Sequence, residues 1–297
     1  MNILFIHGNY PAQFRSLATE LARQGKHDVR YLTARKNANE FPISGLKIIQ
    51  YQEITEREID LQSSSQNITN ELIARGELVQ RSVLELLKSG FYPKLIIFHA
   101  GNGLGLFLRQ LLPNSILIGY FELYFSGRCA DLILGSKSIP NMNYVKARNL
   151  SSESEALMCD ACVTPTQWQA SQFPAKIRPY LSIIFDGIDT SFFKPGNSEL
   201  FEQTIELEGE SGSIRVEKDD LLLTYATRGM EPLRGFPEFM ETLPKLLDAL
   251  PNLKVLIGGR DRSAYGRPCP THNGSWKSMM LEKIPTLNNH PRIYTPA

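Results

Sequence analysis

The chain has 297 residues, of which 42% are hydrophobic and 21% charged, and it carries a net charge of +1. That length holds one large or two modest globular domains, and Lys and Arg spread this thinly exclude a nucleic-acid-binding stripe. No apolar run reaches the ~18 to 20 residues of a membrane span, and Met1 to His7 enter a strand pattern without the basic n-region of a signal peptide.

Strand and helix patterns then alternate along the chain. Asn2 to Ile6 form a short apolar run, followed by a turn from His7 to Pro11 and a helix marked by Phe14, Leu17, Ala18 and Leu21 with Gly25 as its C-cap. Strands are expected at Val29–Leu32 and Leu46–Ile49, then a long helical region over 56–88 with a break near Ser63–Ser65. The rhythm continues with a strand at Leu95–Phe98, a helix over 105–112 and a strand at Ser115–Tyr120. A helix over 150–158, a strand at Ala161–Thr164, a short helix over 167–173 and a strand at Leu181–Phe185 follow. Such alternation predicts a mostly parallel sheet covered on both faces.

The character changes after Phe193. Lys194-Pro-Gly-Asn197 breaks the chain, and the acidic stretch from Glu199 to Asp220 reads as a linker with one hairpin. A second α/β unit begins at Leu221, with a strand to Tyr225, a helix over 237–250, a strand at Lys254–Ile257, a helix over 275–283 and a strand at Arg292–Tyr294. The expected organisation is therefore 1–193 as an N-terminal domain, 194–220 as linker and 221–297 as a partial second domain, with so few strands that apolar sheet edges are left exposed. Four cysteines, with Cys159 and Cys162 as a lone C-x-x-C that runs into a strand, point to structural thiols in a reducing, cytoplasmic compartment. Asn67, Asn149 and Asn273 are then not glycosylation sites.

Candidate chemistry sits where strands end. The turn His7-Gly8-Asn9-Tyr10-Pro11 lies beyond the carboxyl end of the first strand, where open α/β sheets bind ligands; Gly8 and Pro11 are equally explained as tight-turn residues. His99 ends another strand and is followed by Gly101, Gly103 and Gly105, which let backbone approach a ligand. The same glycines, with Glu122 about 20 residues on, mimic part of a dinucleotide fingerprint, although Leu106 occupies the third glycine position. In the second unit, Arg228 and Arg234 bracket a turn with Gly229, Pro232 and Gly235 ahead of a helix. Arginine forks and a helix N-terminus are a phosphate-holding combination. Gly258-Gly-Arg-Asp-Arg262 follows the next strand, and Arg260 or Arg262 either meets a ligand or is neutralised by Asp261.

The stretch from Thr227 to Phe239 resembles the donor-binding segment of the retaining family 4 glycosyltransferases, in which Arg, a short turn and then Lys or Arg precede Gly. Asp186-Gly-Ile-Asp-Thr190 is similar to that family's Asn/Asp-Gly-Ile/Val-Asp motif, and Gly258-Gly259 to its Val-Gly-x-Gly turn. Thr164-Pro-Thr-Gln-Trp-Gln169 is similar to another of its turns. His7 to Phe14 resembles its first turn, with Ala12 where glycine is usual. The sequence ends at Ala297, before that family's Glu-x7-Glu motif would occur. The resemblance implies two Rossmann-like α/β domains of the GT-B type, the second incomplete, and transfer of a hexose from a UDP- or GDP-sugar to an acceptor hydroxyl with retention. It implies His99 at the donor sugar and Arg228, Gly229, Arg234, Gly235 and Gly258 at the donor. Gly8, Asn9 and Glu122 fall on the acceptor side. The implied partners are a nucleotide-sugar donor and a sugar or lipid-linked acceptor, with no metal or separate cofactor, no nucleic acid, and room for peripheral membrane contact; oligomeric state is left open. Two other readings stay open, a non-catalytic nucleotide-sugar-binding remnant and an NAD-dependent oxidoreductase.

Overall fold

A computed structural model describes residues 1–52, 65–127, 141–195, 204–209, 212–265 and 267–295. The part of the expected 56–88 helix before Ser65, Cys129, Gly266 and the linker over 196–203 lie outside the described residues. The described chain divides into two compact units, one ending at Gly187 and the other starting at Ile188. The division falls inside Asp186–Thr190, ahead of the boundary at 193.

The first unit is built on a seven-stranded sheet in the order β3-β2-β1-β4-β5-β6-β7. Its strands are β1 (Asn2–His7), β2 (Asp28–Thr33), β3 (Leu46–Gln50), β4 (Leu95–His99), β5 (Ile116–Tyr120), β6 (Ala161–Thr164) and β7 (Leu181–Ile183). Every neighbouring pair is parallel. Side chains alternate across a strand, so Leu4 and Ile6 join one core with Ile96, Phe98, Val79 and Val83. Ile3 and Phe5 face the opposite core with Ile97, Tyr31, Phe14 and Ala18. Both faces are buried, which is why the strands read as continuous apolar runs.

The connecting helices are α1 (Arg15–Arg23), α2 (Ser65–Lys88), α3 (Leu108–Leu111), α4 (Met142–Met158) and α5 (Gln167–Gln172). Two differ from expectation. The helix expected over 105–112 contracts to α3 because the glycines before it form a loop wrapped around a buried carboxylate. The helix expected over 150–158 begins at Met142, capped by the Asn141 side chain accepting from the Asn143 N–H at 3.0 Å. Its buried face starts with Tyr144, Val145 and Ala147 and continues with the polar Asn149, Ser151, Ser152 and Glu155, so no apolar stripe runs its length.

In the second unit, β8 (Ile205–Gly209) and β9 (Gly212–Val216) form an antiparallel hairpin. A three-stranded parallel sheet follows, in the order β10 (Leu221–Ala226), β11 (Leu253–Gly258) and β12 (Ile293–Tyr294). Helices α6 (Phe236–Ala249) and α7 (Trp276–Lys283) cover it, with Phe236, Met240, Leu243, Val255, Ile257 and Met280 as its core. Leu221 and Leu222 on the edge strand β10, and Ile183 on β7, are exposed, as an uncovered sheet edge requires. No described helix is long and apolar enough to cross a membrane.

Candidate functional site

Strand parity places the polar centre of the first unit. His7 continues the face of Ile3 and Phe5, and His99 that of Ile97, on adjacent strands. Their rings meet at 4.4 Å between centroids, at the carboxyl ends of β1 and β4. This is where the strand order reverses, the topological switch point of an open α/β sheet.

The proton positions follow from the partners. His7 Nδ1 accepts from the Asn9 N–H at 2.8 Å, so it carries no proton, and Nε2–H donates to Gln13 Oε1 at 3.0 Å. Gln13 Nε2 in turn donates to Glu122 Oε2 at 2.6 Å. The same oxygen lies 3.1 Å from His99 Nε2, which donates to it, and His99 Nδ1 faces Asn102 Nδ2 at 3.3 Å. Burial first, and the neighbouring His99 second, push the His7 pKa down to about 3, so its ring stays neutral. Glu122 therefore has one oxygen fixed by two donors, while its side chain remains 41% exposed. Beside it, Tyr120 donates to Asp186, and its phenol is raised well above its ordinary pKa by desolvation and then by that carboxylate.

Gly8 and Asn9 belong to this end of the sheet. Gly8 O accepts from Thr33 Oγ1 and the Ala34 N–H, and a Cβ at Gly8 would meet nothing within 4 Å. Ala12 adopts φ 46°, the left-handed region that favours glycine.

The glycine loop after β4 has a different role from backbone approach to a ligand. The Gly101 and Gly105 N–H groups both donate to the wholly buried Glu155 carboxylate, at 2.6 and 2.8 Å. A Cβ at Gly103 would strike Leu72 O at 2.2 Å, and one at Gly105 would strike the Phe98 ring. These glycines let the loop pack on α2 and β4. A carboxylate already holds the amides that a dinucleotide pyrophosphate would need, which removes the basis of the partial fingerprint.

The second unit brings Arg228 and Arg234 together. Both guanidinium carbons lie over the exposed ring of Tyr265, at 4.5 and 5.6 Å from its centroid. Beneath them the wholly buried Glu231 accepts from the Ala264 and Tyr265 N–H groups at 2.9 and 3.1 Å, and lies 3.8 Å from Arg234 Nε. Gly229 is tight against this loop, since a Cβ there would meet Arg262 O at 2.5 Å. Gly235 takes φ 68° in the turn into α6. Gly258 is an ordinary β11 residue, and the position that needs glycine is Gly259, with φ 136° and a Cβ that would meet Thr227 O at 2.4 Å.

The start of α6 contributes less than its sequence suggests. The Phe236 N–H is bonded to Glu231 O and Pro237 has none, so only Glu238 remains of the first turn's donors. The positive groups of this turn are its arginines rather than free helix amides. Asp261 accepts from Ser275 Oγ at 2.7 Å and, among the described ion pairs, neutralises neither Arg260 nor Arg262. Among the described residues no group of His, Cys, Asp and Glu is placed to hold a metal ion. Cys159, Cys162 and Cys269 are free thiols.

A family model described as Glycosyl transferase family 4 group matches residues 25–193, more than half of the chain. The chain belongs to that family. Solved glycosyltransferases share the fold of this family 4 protein. Sucrose-phosphate synthase from Thermosynechococcus elongatus matches with a TM-score of 0.59 at 14% identity, over 99% of this chain and 70% of that one. The catalytic domain of starch synthase IV from Arabidopsis thaliana, bound to ADP and acarbose, matches with 0.59 at 11%, over 99% and 73%. Anabaena HepE, in complex with UDP and glucose, matches with 0.56 at 12%, over 99% and 68%. No curated protein matches the chain. The fold is GT-B, two Rossmann-like units. Within the family 4 protein, His99 and Glu122 share one hydrogen-bonded network in the first unit, and the two arginines share one ring in the second. Sequence reasoning passed over Gln13, Glu155, Glu231 and Tyr265, which act through partners distant along the chain.

Proposed function

We propose that this family 4 protein transfers a hexose from a nucleoside diphosphate sugar to an acceptor hydroxyl with retention of configuration. The observation that carries the reading is the convergence of Arg228 and Arg234 on one exposed ring, with the buried Glu231 as the nearby counter-charge. Two fixed guanidinium groups suit a diphosphate, whose oxygens they can meet in pairs. The ADP and the UDP in the starch synthase and HepE structures support a nucleotide donor, and the reading needs no cofactor beyond that donor.

In this proposal the bond between the sugar's anomeric carbon and the phosphate oxygen breaks, and the electron pair leaves with the diphosphate. The acceptor oxygen bonds to the anomeric carbon from the same face, and its proton passes to the departing diphosphate. Arg228 and Arg234 stabilise that leaving charge. His99, oriented by the contact of its Nε2 with Glu122, offers Nδ1 to a sugar hydroxyl, because its contact there with Asn102 is long. Glu122 directs its less engaged oxygen to an acceptor hydroxyl, with Gly8 and Asn9 bordering the same edge. Free thiols agree with a cytoplasmic reaction.

Titration calorimetry with UDP and GDP, with a nucleotide-sugar turnover assay, tests this. The expected result is binding of one nucleotide and a turnover loss of ~100-fold or more in Arg228→Ala. Equal turnover in that variant overturns the leaving-group role. Binding without any turnover would leave a nucleotide-sugar-binding protein.

A further inference from the structure

Two positive side chains rarely share one small surface without something to hold them there, and Tyr265 is that element. Arg228 lies 4.5 Å and Arg234 5.6 Å from the centroid of its ring, both within cation–π reach. Tyr265 is 56% exposed, so it is not recruited to the core. The backbone that carries it is nevertheless fixed, because the main-chain N–H groups of Tyr265 and Ala264 are bonded to the buried Glu231 carboxylate. Gly229 and the Met230 N–H, bonded to Arg260 O at 3.2 Å, press the arginine turn against the same loop. The clamp and its platform thus come from two loops that follow β10 and β11.

We infer that Tyr265 is a positioning residue for the diphosphate clamp: its ring preorganises Arg228 and Arg234, and Glu231 holds the loop backbone that carries the ring. This rests on the donor-site reading above and extends it to a residue that touches neither the sugar nor the reacting carbon. An exposed arginine otherwise samples many rotamers, and ordering it on ligand binding costs affinity. A ring that already holds two guanidinium groups removes part of that cost. The π face, and not the hydroxyl, is the active part, so affinity should follow the ring. Tryptophan binds cations best, tyrosine and phenylalanine less, and leucine offers packing without a quadrupole.

The test uses the full chain and inorganic pyrophosphate as probe, with uridine as a neutral control, by titration calorimetry. Pyrophosphate affinity is expected to be kept within about twofold in Tyr265→Phe and Tyr265→Trp, and to fall roughly tenfold in Tyr265→Leu, as two lost cation–π contacts imply. Uridine binding should be the same in all four proteins. Thermal melts of the variants establish that this exposed position leaves folding intact. Unchanged pyrophosphate affinity in Tyr265→Leu overturns the inference while the donor site stands. A parallel loss of pyrophosphate and uridine makes Tyr265 a base platform and also overturns it. If the unaltered protein fails to bind pyrophosphate, the donor-site reading itself falls and the positioning role with it.

Discussion

At the scale of single residues, two buried titratable groups lie near the candidate site and oppose each other. His7 is driven down from its ordinary 6.5 to about 3 by burial and by His99. Between those values the unfolded chain binds the proton that the native ring refuses, so stability rises with pH there, and it is lost as pH falls. Glu155 is driven up from 4.5 to about 7 by burial, against the two glycine amides that favour its charge. Between those values the native state holds the proton, so its contribution is present at low pH and lost as pH rises through about 7. The two slopes largely cancel between the ordinary carboxylate and histidine values. Urea midpoints measured from pH 4 to 8 should therefore fall more steeply with rising pH in His7→Asn than in the unaltered protein. They should rise more steeply in Glu155→Gln. Each difference is at most ~1.4 kcal/mol per pH unit for one proton. Profiles parallel to the unaltered protein would mean that neither group is perturbed in the native state.

At the scale of elements, an arginine fastens a helix end in each unit. Arg109 donates to Met158 O at 3.1 and 2.9 Å, to Pro113 O and Ser115 O, and to Asp160, tying the end of α4 to the start of β5. Arg292 donates to Leu247 O, Leu250 O and Pro251 O at the end of α6. Last-turn carbonyls have no helical partner, and charge-assisted bonds to them are among the stronger ones. Arg109→Met and Arg292→Met should each cost about 2 to 4 kcal/mol in denaturant unfolding. Lysine should restore only a small part, since a point charge cannot span the fork of acceptors; a loss below ~0.5 kcal/mol in both would refute the fastening role. What the sequence made legible has the same physical basis. Ile3, Phe5 and His7 alternate against Leu4 and Ile6, so the strand, its two buried faces and the strand-end position of His7 could be read from it. The turn bearing Arg228 and Arg234 could also be read, because glycine and proline punctuate it. The first half of α4 could not, because the buried Tyr144, Val145 and Ala147 are followed on the core face by Asn149, Ser151 and Ser152, so no apolar period runs back from the part that could be read. Nor could the true role of Gly101 and Gly105, whose partner Glu155 lies on another helix, or that of Tyr265, whose value depends on two arginines from a different loop.

For the whole molecule, the division at Gly187 separates two structures with their own cores. One is a seven-stranded sheet buried on both faces, and the other a three-stranded sheet with Phe236, Leu243 and Val255 at its centre. Units with separate cores need not unfold together, and a single melting temperature is then not a property of the chain. Scanning calorimetry should resolve two transitions, the smaller from the unit with fewer strands. A ligand that binds only native protein stabilises the unit that holds it, by ~2.7 kcal/mol at a hundredfold excess over its dissociation constant. Pyrophosphate should therefore raise the transition of the unit carrying Arg228 and Arg234 and leave the other in place. Arg109→Met should lower the other transition alone. These two shifts assign the peaks independently of each other. If pyrophosphate instead raises both transitions equally, the anion is held by both units, and the assignment of the diphosphate to the arginine turn and its tyrosine is incomplete.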